Sequence, residues 1–431
     1  MTSPTNVEGA SGETLARPRR AGALEAARRV VRTPAARDAL RALVVSRLLI
    51  WVVGVPAMLV FGLARWERSD PFRLTDRLGA LGGVLGAPAV RWDSSFYVSI
   101  ASHGYESKTT TVFFPLYPIV SRAVGTLTGS VVIGGVLVSM IAFAVGLYLL
   151  HRLSELEIGS DAARRTVWLI ALFPAAIFFS AVYTESLFLA LTVGAVYAGR
   201  HGRWAWAGAL AALAALTRNT GLIVALPILL LYLYGPREDR PAPDRPGGGL
   251  RPRYRLRPDV LWIALVPAAL GAFMAYLGVT FGDPLASWHA QHEWSREFSG
   301  PLSALWFGAG RALDSAGALL GATTGDFASD LRQIGLLVGV LAALGVGIAA
   351  LRRLPIAYGA YALVALMPAL SAPWPEHPLN STPRFIAVLF PLFMLLGLVL
   401  KGRRAFAVVA GVFAVLLVYA SAMFSTWHWV A

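Results

Sequence analysis

GSVVIGGVLVSMIAFAVGLYLL, residues 129–150, carries no charged side chain and is followed at once by His151 and Arg152. A helix needs about 20 apolar residues to cross a bilayer, because in hydrocarbon the backbone must satisfy its own hydrogen bonds. This stretch meets that requirement, and the test repeats along the chain. Apolar segments run roughly over 42–64, 129–150, 166–183, 185–199, 204–217, 220–235, 260–280, 333–351, 355–372, 384–400 and 405–427. The expected fold is therefore an all-α polytopic membrane protein of about eleven transmembrane helices. Composition agrees: 56% of the 431 residues are hydrophobic and only 14% charged, far more apolar than a soluble domain needs to fill its core.

The net charge of +14 raises the question of nucleic acid, but the arginines fall in short clusters between apolar runs and not along one polar face. They read as topology signals. Cytoplasmic loops retain Arg and Lys, and every second loop is basic: Arg28 to Arg41 before the first span, then Arg152, Arg164 and Arg165, Arg200 and Arg203, Arg237 to Arg257, Arg352 and Arg353, and Lys401, Arg403 and Arg404. This places the N-terminus inside, the C-terminus outside, and the protein in the cell membrane. Residues 1–41 read as a disordered basic cytoplasmic tail with no signal peptide. Residues 42–235 form an N-terminal helical half with a first outer loop at 65–128. Residues 236–259, rich in Arg, Pro and Gly, read as a linker too polar to pack, attracted to anionic lipid. Residues 260–431 form a C-terminal half with a second outer loop at 281–332. With no cysteine, neither disulfides nor thiolate ligands are available.

The densest polar and aromatic cluster is RWDSSFYVSIASHGYE, Arg91 to Glu106, followed by FFPLYPIVSRAVGTLTG, which suits a juxtamembrane helix. Asp93, flanked by Trp92, Phe96 and Tyr97, is partly desolvated unless something pairs or uses it. It can serve as a general base toward a hydroxyl, or equally as a partner of Arg91 or an N-cap. Glu185, in AVYTESLF, lies where the third span meets the outer surface; the plain alternative is a first-turn glutamate favoured by the helix dipole, with Thr184 as cap. Arg218 and Asn219 occupy the outer turn between the fifth and sixth spans, where an arginine runs against positive-inside bookkeeping and can bind phosphate or pair with Glu185. Arg384, after Pro383, opens the tenth span at headgroup level, where it can reach a phosphate or simply snorkel. In the second loop, Asp283 caps an expected interfacial helix, GDPLASWHAQHEW, whose His289 and His292 lack the further ligands a metal site requires. Arg47, inside the first span, has no evident role.

These motifs together resemble the PIG-V family, the second mannosyltransferase of GPI-anchor synthesis and its bacterial relatives. RWDSSFYVSIASHGYE with FFPLYPIV, FPAAIFFSAVYTESLFLAL (173–191), ALTRNTGLIVALP (215–227), FGDPLASWHAQHEW (281–294) and STPRFIAVLFPLF (381–393) occur in the family's order. The resemblance implies a GT-C glycosyltransferase architecture. It further implies an inverting transfer of mannose from polyprenyl-phosphate-mannose to a hydroxyl of a lipid-linked or cell-surface glycan on the extracytoplasmic side. By that analogy Asp93 is the catalytic base, while Trp92, Tyr97, Glu185, Arg218, Asn219, Asp283, His289 and Arg384 bind substrate, Arg384 through the lipid phosphate. The loop departs from a common GT-C pattern in having Ser94 and Ser95 in place of a second acidic residue. No cofactor is required on this reading, and a divalent cation is not indicated. No nucleic acid is expected. A preponderance of Arg over Lys points to a GC-rich bacterial genome, which argues against a GPI precursor as acceptor.

Eleven helices alone suit a transporter or lipid flippase equally well. A transporter places ionisable residues or broken helices near the midplane, whereas Asp93, Glu185, Arg218 and Arg384 gather at one face. A noncatalytic subunit of a glycan-assembly complex is the third reading, and it requires Asp93 to be dispensable.

Overall fold

The computed structural model describes residues 33–62, 74, 78–241, 251–321, 323 and 325–430, and among them there is no β-strand. The first helix, α1 (Pro34–Ala57), begins earlier than expected: Thr33 accepts from the Ala36 amide at 3.2 Å, and Pro34 sits in the first turn with φ preset for a helix. Residues 34–41 therefore belong to a helix, not to the tail; the rest of the expected tail, 1–32, lies outside the described residues. The first outer loop contributes α2 (Gly79–Gly86), α3 (Ser94–His103) and α4 (Leu116–Thr128), the last being the anticipated amphipathic element.

Next come α5 (Val131–Ile158), α6 (Ser160–Leu172), α7 (Glu185–Arg200), α8 (Trp204–Ala215), α9 (Ala225–Tyr234) and α10 (Leu265–Phe281). The second loop holds α11 (Ala286–His289) and an unanticipated 18-residue helix, α12 (Ser303–Leu320). Its apolar positions are interrupted by Arg311 and Asp314, so a search for uninterrupted runs passes over it. Then follow α13 (Phe327–Arg353), α14 (Ile356–Ser371), α15 (Thr382–Ala387), α16 (Phe390–Val399) and α17 (Arg403–Ser425).

All the expected spans fall on helical segments, but not as equals. Among the described residues, five helices are long and apolar enough to cross a membrane: Pro34–Gly62, Val131–Ile158, Pro258–Phe281, Phe327–Arg353 and Arg403–Ser425. Others are shorter, such as α8 with 12 residues, or broken. The third expected span stops at Phe173, because the following proline disfavours the α conformation there, and continues as a 3-10 turn, Pro174–Phe179. Irregular backbone at membrane depth is tolerated only inside protein, and 175–185 is buried throughout. Its freed backbone groups are taken up from several sides. Ser139 donates to Ala181 O at 2.6 Å, Ser186 to Phe179 O at 2.7 Å, and the Val182 amide to Ala89 O at 2.9 Å. Arg47 is the remaining partner: its Nη1 donates to Ala176 O at 2.9 Å and to Ser180, with the guanidinium over the Phe143 ring. A buried arginine in the first span thus serves to terminate broken backbone in the third.

The linker packs more than its composition suggests. Arg237 is 5% exposed, enclosed by Trp204, Tyr232 and Tyr254 and paired with Asp239, whose carboxyl it holds below the usual range. Arginine stacks on aromatic faces in a way that lysine does not, so a basic segment can still build a small core. Residues 242–250 of that segment lie outside the described residues.

Candidate active site

Four charged residues from four separate segments meet at one end of the bundle. The turn before α3 delivers Asp93, where Trp92 adopts φ 55° and the backbone is pinned by Tyr183: its hydroxyl donates to Arg91 O and accepts from the Asp93 amide, both at 3.1 Å. Asp93 occupies the position preceding α3, yet its side chain caps nothing. Nor does it pair with Arg91, which is fully buried and donates to Ser425 O and Val90 O beneath the Trp427 ring. Instead Asp93 Oδ2 receives Arg384 Nη1 at 2.7 Å.

Arg384 Nε donates in turn to Glu185 Oε1 at 2.8 Å, and the same oxygen accepts Arg218 Nη1 at 2.7 Å. The result is an unbroken alternation, Asp93, Arg384, Glu185, Arg218. Glu185 is fully buried at the start of α7, and Arg384 lies over Tyr183 and Phe178. Arg384 is held on the short α15, which has Pro383 in its first turn and ends before α16, which has Pro391 in its own first turn. Charge-assisted bonds of this length are the strong ones, and in a low-dielectric surround removing one partner leaves the others poorly compensated. Glu185 Oε2 is buried without a hydrogen-bond partner among the described residues.

The chain of charges opens on a cavity of about 540 Å³ lined by Trp92, Asp93, Tyr97, Arg218, Asn219 and Arg384 among the anticipated residues. Glu185 stands directly behind this wall. Asp283 and His289 do not line it. They face each other at 2.9 Å, and His289 holds the Asp283 carboxyl below the usual range. The stretch expected as one capped interfacial helix is broken: Asp283 bonds the Leu285 amide in a turn, α11 has four residues, and a 3-10 turn follows at His292–Trp294. His292 pairs with Glu297, so the two histidines serve different carboxylates. Among the described residues no group of three His, Asp or Glu side chains is placed to hold a metal ion.

Trp294, in the GDPLASWHAQHEW stretch whose tryptophans were expected to shape an acceptor groove, lines the cavity, and several lining residues went unnoticed in the sequence: Arg296 from the second loop, Trp374, and Trp427 and Trp429 from the C-terminal segment. Trp427, at φ 62°, and Trp429 meet the Trp92 ring edge-on at centroid separations of 5.7 and 5.0 Å. All three indole nitrogens are buried without a partner among the described residues. Buried indole N–H groups ordinarily find an acceptor, and the described residues supply none for these three. The one available signal was density of aromatics in TWHWV, a pattern that at a membrane boundary reads first as an interfacial belt.

The family model described as Mannosyltransferase (PIG-V) matches residues 73–232, taking in the motifs around Asp93, Glu185 and Arg218 but not those at 281–294 and 381–393. GPI mannosyltransferase 2 of Yarrowia lipolytica is 34% identical over 32% of this chain. GPI alpha-1,6-mannosyltransferase 2 of Cricetulus griseus is 33% identical over 34%. The matched stretches span 39% and 31% of those relatives' own lengths. An archaeal oligosaccharyltransferase from Archaeoglobus fulgidus, in complex with an inhibitory peptide and a dolichol-phosphate, aligns in structure over 90% of this chain and 55% of its own, with 13% identity and a TM-score of 0.37.

Proposed function

We propose that the protein is an inverting GT-C-type mannosyltransferase that moves mannose from polyprenyl-phosphate-mannose to a hydroxyl of a lipid-linked or cell-surface glycan at the extracytoplasmic face. The observation that carries this reading is the Asp93 carboxylate, held by Arg384 through Oδ2 at the wall of an aromatic-lined cavity. Similarity to the GPI mannosyltransferases supports the sugar, and the location supports a substrate whose tail stays in lipid while its headgroup is worked on at the interface.

In this mechanism Asp93 Oδ1 accepts the proton of the incoming hydroxyl. The acceptor oxygen bonds to C1 of mannose from the face opposite the phosphate, the C1–O bond to phosphate breaks, and polyprenyl phosphate leaves with the electron pair. Arg384 holds Asp93 aimed at the cavity, the positioning a base needs before it can act. Guanidinium groups at the cavity offset the charge developing on the departing phosphate, a function that preorganised cations serve well in a dry site. The side chains of Trp92, Trp427 and Trp429 line the cavity and supply aromatic surface for a sugar ring.

Mannosyl transfer by purified full-length protein from synthetic polyprenyl-phosphate-mannose, against a panel of glycolipid and glycan acceptors, tests the proposal. Wild type transfers; Asp93→Asn, which retains an oxygen for Arg384, folds and loses about 10²- to 10⁴-fold in kcat. Equal rates in the two would remove Asp93 as base. Donor binding without transfer to any acceptor would favour the transporter or noncatalytic reading.

A further inference from the structure

Three guanidinium groups line the cavity, and they are not equivalent. Arg384 spends Nη1 on Asp93 and Nε on Glu185, and Arg218 spends Nη1 on Glu185. Arg296 has no carboxylate partner among the described residues. Its Nη2 donates to a neutral group, Ser381 Oγ, at 2.5 Å. Burial, and next the nearby Arg384, lower its proton affinity. Its charge is therefore poorly compensated where it stands.

The loop that carries Arg296 is fixed and not merely draped over the opening. Trp294 donates its indole N–H to Thr109 O at 3.0 Å and packs edge-on against Phe96 and Phe113. Ser295 turns the chain at φ 53°, and the Arg296 amide returns to Gln291 O at 3.0 Å. A half-buried cation at the cavity wall without a carboxylate partner is the group best placed to gain from an arriving anion, and a planar guanidinium fork matches a phosphate's oxygens.

We infer that Arg296 is the anion ligand of this cavity, holding the phosphate of a lipid-borne phosphosugar, while Arg384 is a positioning residue that aligns Asp93 and Glu185. This rests on the lipid-phosphate donor proposed above. It moves the phosphate contact from the tenth expected span to the second outer loop. A phosphate monoester or diester is the chemistry recognised, and either a lipid or free phosphate can present it.

The test is titration of full-length protein in detergent with three probes: polyprenyl phosphate, uncharged polyprenol of equal length, and inorganic phosphate. Quenching of tryptophan fluorescence reports occupancy, since five of the lining residues are tryptophans. Wild type prefers polyprenyl phosphate to polyprenol; Arg296→Gln loses that preference by about 10- to 100-fold, the value of a charge-assisted contact. Arg296→Lys, which keeps the charge but not the fork, retains only part of it, and polyprenol affinity stays unchanged in both variants, which establishes that they fold. Undiminished preference in Arg296→Gln would overturn the assignment of Arg296 and leave the donor reading standing. No preference in wild type would overturn both. Inorganic phosphate bound as tightly as the lipid would uphold Arg296 as anion ligand and overturn the lipid-borne source.

Discussion

Glu185 shows how much of the site depends on one atom. Its Oε1 accepts from both Arg384 and Arg218, and neither arginine side chain is more than 11% exposed. Glu185→Gln keeps the shape and removes the charge, leaving Arg218 without a carboxylate. Removing one partner of a buried pair costs about 3–5 kcal/mol, and because Arg384 retains Asp93 the lower end applies here. Thermal unfolding in detergent should show a clear drop in Tm for Glu185→Gln, whereas Asp283→Asn, on the surface pair with His289, should leave it within about 0.5 kcal/mol of wild type; equal losses would mean the charge chain is not structural. Asp93, Glu185, Arg218 and Arg384 were legible in the sequence because an ionisable residue beside apolar runs is conspicuous against that background. Arg296, Trp427 and Trp429 were not, since they sit in connecting segments where arginine and tryptophan are ordinary. Asp283 and His289 were misplaced because loop residues carry no periodicity that shows which way they point.

At the scale of elements, apolar runs marked where helices lie but gave little warning of how they break. The breaks at Pro174 and around α15 are the features that bring Glu185 and Arg384 face to face, and each proline only hinted at its break. The contact of α4 with α5 was equally hidden. An ideal Cβ on Gly134 would stand 2.6 Å from both Ser121 O and Gly125 N of α4, backbone atoms that cannot swing aside. Small residues that let helix backbones meet are a recurring means of association in membranes. This one seats α4 so that Tyr117 reaches Gly135 O and Ser139, and stands edge-on to Tyr97 at the cavity. Gly134→Ala should destabilise the fold by about 1–3 kcal/mol through overpacking, read as a lowered Tm, while Gly271→Ala in α10, with nothing within 4 Å of its Cβ, should be neutral.

Over the whole molecule, the residues of the cavity and the basic clusters occupy opposite ends of the bundle. Helix α5, with 28 residues, extends about 42 Å, longer than the roughly 30 Å hydrocarbon core. It leaves the site end near Tyr117 and Tyr183, and turns at Gly159 and Ser160 into α6. Arg200 and Arg237 likewise sit at the far ends of α7 and α9, whereas Arg218 and Arg384 face the cavity. If arginine clusters remain in the cytoplasm, the cavity opens outward, where a flipped lipid-phosphate sugar would be found. The chain has no cysteine, so single introduced thiols report sidedness directly. Ser299→Cys, exposed beside the Arg296 loop, should react with a membrane-impermeant maleimide in intact cells, and Ser160→Cys, exposed at the far turn, only after permeabilisation. The reverse pattern would put the cavity at the cytoplasmic face and sink the extracytoplasmic assignment, while leaving the charge chain and its proposed chemistry to be judged by the transfer assay.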